Sequence, residues 1–63
     1  MTIWTIPRKA TVELNADGWW VCIRRRRYHF NTHAECLCYL AGRGLITYDQ
    51  IDFLVRAARE RLA

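Results

Sequence analysis

The sequence lacks the features that mark several classes of protein. No run approaches the ~18 consecutive apolar residues that a membrane-spanning helix needs. The opening residues MTIWTIPRKA lack the charged start and long apolar stretch of a signal peptide. Three cysteines are an odd number, which makes a poor disulfide framework. No repeat or low-complexity linker divides the chain. These absences predict a cytoplasmic protein with reduced cysteines and a single domain over residues 1–63.

Recognisable catalytic and metal-binding motifs are also missing. AGRGL (41–45) lacks the spacing and lysine of a phosphate-binding loop. His29, His33, Cys36 and Cys38 lie close together in the sequence, as zinc ligands often do. On a helix, however, Cys36 and Cys38 point about 200° apart because each residue turns by ~100°. A pairing of either cysteine with His33 as nucleophile and base would need a substrate cleft, for which a domain this small has little room. We therefore expect no metal, no cofactor and no enzymatic activity.

Positive charge is concentrated in the first half of the chain. The formal net charge is +4. Residues 1–33 contain six basic and two acidic residues, whereas residues 34–63 contain four of each. The whole excess therefore lies before residue 34. Such asymmetry indicates an anionic partner on one face, and plain solubility is the alternative explanation.

Three short segments have the composition of β-strands. They are TIWTI (2–6), ATVEL (10–14) and WWVCI (19–23). Pro7 ends the first, and NADG (15–18) has the chemistry of a turn. Alternation places Val12, Leu14, Val21 and Ile23 on one face, and Thr11, Glu13, Trp20, Cys22 and Arg24 on the other.

The four arginines at 24–27 interrupt this alternation. An uninterrupted strand would bury Arg25 and Arg27, and a buried unpaired guanidinium is very costly. A turn or bulge within the run removes the conflict, because one extra residue exchanges the two faces. YHF (28–30) then either begins another paired segment or leads into a helix.

Two helices are predicted in the second half. THAECLCYLA (32–41) begins with a capping box formed by Thr32 and Glu35, and the segment from Thr47 to the end begins with a second one. The apolar residues of both segments recur at helical spacing. We predict an α+β fold with two layers, in which a small antiparallel three-stranded sheet is followed by two C-terminal helices (βββαα).

One sheet face is expected to stay open, with Trp20 beside the arginines. Such a face can stack bases and neutralise phosphates, or it can form a hot spot of a protein interface. The alternative is that the helices cover this face and Trp20 belongs to the core. The predicted binding residues are Trp20, Arg24, Arg25, Arg26, Arg27, Arg8 and Lys9.

Two resemblances to known families bear on function. DGWWVCIRRRRYHFNTHAECLCYL (17–40) resembles the hairpin and helix of AP2 and integrase arm-type DNA-binding domains, with THAE in place of their T-x-A-E helix start. The order of elements, with the amphipathic helix YDQIDFLVRAARER last, resembles small phage-encoded anti-CRISPR proteins, especially type I-F inhibitors. The second resemblance implies a non-enzymatic protein of the host bacterial cytoplasm.

Such an inhibitor would dock on a host protein or ribonucleoprotein complex, such as a CRISPR effector, and block it sterically. Its arginines would pair with carboxylates or with the phosphates of bound RNA. The alternative function is a nucleic-acid-binding module that uses the same arginine and tryptophan face. A homodimer that pairs its open faces is a further possibility. No membrane partner is expected.

Overall fold

Tight turns fold the first half of the chain into an antiparallel sheet. The computed structural model describes residues 1–62. Its strands are β1 (Thr2–Ile6), β2 (Ala10–Asn15), β3 (Gly18–Ile23) and β4 (Arg26–Phe30), and they neighbour one another in that order. Each strand therefore pairs with the one before it, and β1 and β4 form the two edges of the sheet.

The prediction of three strands is wrong, because β4 is a fourth. Ile23 pairs with Arg26, so Arg24 and Arg25 form a two-residue turn that reverses the chain. The turn also resolves the conflict over the arginines. Tyr28 pairs with Val21 and shares its face, while Arg27 pairs with Cys22 on the opposite face. The predicted α+β class with two layers is correct.

Two helices follow the sheet. They are α1 (His33–Gly42) and α2 (Gln50–Leu62). The backbone N–H of Glu35 donates to Thr32 Oγ1 at 3.2 Å, which caps the start of α1. Before α2, the backbone N–H of Thr47 donates to Gln50 Oε1 at 2.9 Å. Each predicted capping box therefore forms one of its two side-chain hydrogen bonds, and that bond satisfies a backbone donor that the helix leaves unpaired.

The helices cover one face of the sheet, and the core lies between the layers. Val12 and Val21 belong to one buried cluster with Leu37 and Leu40 of α1. Burial of a side chain of this size contributes about 1.5–3 kcal/mol relative to leaving it exposed. Alternation therefore predicted the buried face correctly. The opposite face, which carries Trp20, is left uncovered by the helices. Within residues 1–62, no helix is both long and apolar enough to cross a membrane.

A buried histidine joins the two layers near the start of α1. His33 Nε2 accepts a hydrogen bond from the Nε1–H of Trp4 at 2.9 Å. The ring of Trp19 stacks on the imidazole with 4.4 Å between ring centroids. Because Nε2 acts as an acceptor, the imidazole is neutral. Burial lowers the pKa of His33, which favours this neutral form.

Candidate anion-binding tip

The turn between β1 and β2, the turn between β3 and β4, and the end of α1 meet at one end of the molecule. We call the basic residues that they bring together the basic tip. Arg8 and Lys9 of the first turn line a common cavity with Arg24 of the second and with Arg43, which directly follows α1. The members of the basic tip are Arg8, Lys9, Arg24, Arg25, Arg26 and Arg43.

Three cavities indent the basic tip, and Arg24 lines all of them. The largest has a volume of about 410 Å³ and is lined by Ile23, Arg24, Arg25, Arg26, Tyr28 and Arg43. The second, of about 260 Å³, lies against Arg8, Lys9 and Cys22. The third, of about 240 Å³, lies between Arg8 and Arg43. Among the described residues, no carboxylate lines any of the three.

The charges of the basic tip are not neutralised within the described chain. The one salt bridge found in residues 1–62 joins Arg27 to Glu13, with 3.7 Å between Nη2 and Oε2. Arg43 is held by a neutral partner, since its Nη1 donates to the hydroxyl of Tyr39 at 3.1 Å. Six cations gathered without a carboxylate create a local positive potential that attracts anions.

Both turns of the basic tip hold an arginine in a conformation that favours glycine. The backbone φ is 64° at Arg8 and 56° at Arg24, and no other non-glycine residue in 1–62 has a positive φ. Arg8 follows Pro7, and the N–H of Lys9 donates to the carbonyl of Ile6 at 3.0 Å. This is the arrangement of a type II turn, whose third residue is usually glycine. The two strained residues thus present their guanidinium groups at the same end.

The largest cavity is also lined by Tyr28, whose pKa is affected by the positive charge around it. The Tyr39 hydroxyl and the Arg26 guanidinium, both beside the phenol, lower the pKa of Tyr28, and the charge of Arg43 acts in the same direction. The rings of Tyr28 and Tyr39 contact each other with 5.1 Å between centroids. The surroundings of Tyr28 therefore favour negative charge at this position.

Trp20 and Arg27 lie on the open sheet face and form a separate group. The guanidinium carbon of Arg27 lies 4.6 Å from the centroid of the Trp20 ring. The ring of His29 approaches Trp20 in an edge-on arrangement at 4.8 Å. The indole Nε1–H donates to Asn15 Oδ1 at 3.2 Å. Trp20 is thus half-buried, with one ring face already in contact with a cation.

The predicted binding residues therefore fall into two groups. The structure brings together five of them in the basic tip and places Trp20 and Arg27 on the sheet face. Sequence reasoning missed Arg43, which it counted among the balanced charges of the second half. It also missed Tyr28, whose position depends on β4. The signal for Arg43 was available, since AGRG reads as the end of a helix.

The two cysteines of α1 lie in different environments. Cys36 is buried in the core, whereas Cys38 is exposed on α1. Burial is the main reason why the pKa of the Cys36 thiol rises to about 12. Within residues 1–62, no three His, Cys, Asp or Glu side chains are arranged to hold a metal ion.

Comparison with known proteins leaves the geometry as the basis for function. No protein-family model matches the sequence, and no curated protein or solved structure is significantly similar to it.

Proposed function

We propose that this chain is a non-enzymatic binding protein that docks its basic tip on an anionic surface of a host protein or ribonucleoprotein complex. In this proposal it acts in the bacterial cytoplasm and blocks the complex sterically, as an inhibitor of a CRISPR effector would. The observation that carries the proposal is the strained backbone of the basic tip. Arg8 and Arg24 both have positive φ, and both are arginines on a carboxylate-free surface.

The strain argues for binding because it opposes folding. A non-glycine residue in the left-handed region costs roughly 1–2 kcal/mol, and glycine would avoid that cost. Backbone outliers of this kind cluster at functional sites, where the surrounding structure holds them in place. In this chain each outlier adds a guanidinium to a surface that already repels cations. The backbone conformation disfavours arginine at positions 8 and 24, and so does repulsion from the neighbouring cations. An anionic partner would give these two arginines a favourable interaction that the fold itself does not provide.

The buried groups support a binding role over catalysis. His33 is held by Trp4 and Trp19, so its Nε2 is not free to accept a proton from a nucleophile. The Cys36 thiol is buried, and its raised pKa keeps it protonated at neutral pH. A reactive cysteine needs the opposite environment, in which nearby positive charge stabilises the thiolate.

The contacts of Trp20 argue against base stacking on the sheet face. Arg27 covers the ring, His29 meets it edge-on, and Asn15 accepts its N–H. A base would have to displace Arg27 from both the indole and Glu13 before it could stack on Trp20. The basic tip requires no such rearrangement, and we therefore place the contact surface there.

A tagged pull-down from bacterial lysate tests the proposal. The native chain is compared with Arg25→Gln/Arg26→Gln and with Arg56→Gln/Arg59→Gln, which removes the same charge from exposed residues of α2. All samples are run with and without nuclease, and retained proteins are identified by mass spectrometry. We expect a protein complex that survives nuclease and is lost in the tip variant alone. Equal retention by both variants, or loss with nuclease alone, would overturn the proposal.

A further inference from the structure

We infer that the anion bound by the basic tip is the sugar–phosphate backbone of a single-stranded nucleic acid, which runs through the three cavities around Arg24. This inference rests on the proposed function and names the chemistry of its contact. The strand would belong to the host complex on which the protein docks.

The three cavities are neighbours on the basic tip because they share lining residues, so one strand can follow a path through all of them. Arg24 is common to all three, and Arg43 lines the largest and the third. Arg8 and Lys9 both line the second and the third cavities. Basic side chains therefore border the path from the end of α1 to the turn between β1 and β2. A groove of one charge with no acidic interruption is the arrangement that follows a nucleic-acid backbone.

Phosphate fits these cavities better than a protein carboxylate does. Four guanidinium groups border the largest cavity, and each presents a planar fork of N–H donors that matches phosphate oxygens. A single carboxylate carries one charge on two oxygens and leaves most of these donors unused. A nucleic-acid backbone presents one charge per nucleotide at regular spacing, so successive phosphates can occupy successive cavities.

An aromatic wall favours a single strand over a duplex. Tyr28 lines the largest cavity beside Arg26, and its ring packs on Tyr39 at 5.1 Å. Bases of a single strand are free to lie against such a ring, and this contact tolerates any sequence. In a duplex the faces of the bases are hidden by their neighbours. The bond from Arg43 to Tyr39 fixes one guanidinium in place before the strand arrives, which reduces the entropy lost on binding.

Fluorescence anisotropy with a labelled thymidine oligonucleotide tests the inference. Binding is measured over a series of salt concentrations, with a duplex of equal length for comparison. One phosphate in each of three cavities predicts a slope of log K against log[salt] of about −2, from −0.7 per phosphate of a single strand. We expect Arg24→Gln to reduce both the affinity and the steepness of the slope. Arg25→Gln, which changes no positive-φ residue, serves as a second variant, and Arg56→Gln is the matched control.

The possible outcomes separate this inference from the proposed function. A flat salt dependence, tighter binding of the duplex, or equal binding by Arg24→Gln and Arg56→Gln would overturn the inference. If the protein captures a nuclease-resistant complex but does not bind the oligonucleotide, the docking proposal stands and the inference of a bound single strand is refuted. Oligonucleotide binding with a slope near −2 that weakens in both tip variants supports the inference. If the pull-down in that case loses its complex with nuclease, the strand is bound without a host protein complex, and the docking proposal is overturned instead.

Discussion

Replacing Arg24 with glycine is expected to stabilise the protein and weaken its binding at the same time. Arg24 has φ 56° in the turn between β3 and β4. Relief of left-handed strain contributes roughly 1–2 kcal/mol. The added freedom of glycine in the unfolded chain removes about 0.5–1 kcal/mol of that gain. At the midpoints of these two ranges, the net effect is a gain of about 0.8 kcal/mol. For a domain of this size, such a gain raises Tm by about 3–6 °C.

Thermal unfolding followed by far-UV circular dichroism measures this change. Removing one cation also relieves repulsion within the basic tip, and that part of the gain is screened at 1 M salt, where the Debye length is about 3 Å. The part due to backbone strain remains at high salt. Arg25→Gly is the matched control, because Arg25 is the neighbouring turn residue and its φ is not positive. Glycine at this control position is expected to lower stability by about 0.5–1 kcal/mol.

The two readouts of Arg24→Gly together test the reasoning. If the arginine is held in a strained conformation for the sake of an anionic partner, stability rises while retention of the partner falls. An Arg24→Gly protein that unfolds at the same temperature as Arg25→Gly would refute the argument from strain. An Arg24→Gly protein that is more stable and still binds fully would refute the role of Arg24 in binding.

Two further predictions concern the core. Leu37 is 1% exposed, so Leu37→Ala is expected to lower the free energy of unfolding, measured by urea denaturation, by about 2–5 kcal/mol. Phe53 is 70% exposed and serves as the control, because Phe53→Ala is expected to change the free energy of unfolding by less than about 0.5 kcal/mol. The lowered pKa of His33 means that the unfolded chain binds its proton more readily, so stability is full above pH 6.5 and falls below it by at most about 1.4 kcal/mol per pH unit. We expect this loss below pH 6.5 to disappear in His33→Gln and to persist in His29→Gln, and an unchanged slope in His33→Gln would contradict the assignment.

The elements with regular periodicity were predictable from the sequence. Alternation in residues 10–23 predicted which side chains the sheet buries, because each strand residue changes face. The pair Thr32 and Glu35 predicted the start of α1, since a hydroxyl at that position caps the exposed backbone N–H groups. In both cases the interaction that decides the structure lies between residues close in sequence.

The fourth strand was not predictable in the same way. β4 begins with two arginines, and the turn before it contains no glycine, asparagine or aspartate. Hairpin turns with positive φ are usually recognised by those residues. Arg24 adopts the conformation without the usual signal, so composition alone left residues 28–30 undecided. Tertiary pairing with β3 determines this part of the chain, and such pairing overrides local propensity.

The candidate site was predictable in composition but not in arrangement. A count of charges identified the arginine run as the source of the net charge, yet it treated Arg24 to Arg27 as one patch. The two-residue turn separates them into two groups. It sets the register of β4 so that Arg27 pairs with Cys22 and lies on the open sheet face. There Arg27 lies near Glu13 and over Trp20, which a linear sequence does not reveal. Arg43 joins the basic tip for the opposite reason, since α1 returns it to the turns from a distant part of the chain.

This division shows why a run of like charges need not act as a unit. Arg27 is half-exposed but has a carboxylate partner in Glu13 and an aromatic surface in Trp20, so its charge is partly compensated within the fold. Arg24 and Arg25 occupy the two turn positions, where no side chain of a neighbouring strand is directly opposite. Their charges face solvent and one another, and the repulsion is relieved only by an external anion. The availability of each arginine is therefore set by strand register and turn geometry, and the surface that we propose for binding consists of the uncompensated members of the run together with Arg8, Lys9 and Arg43.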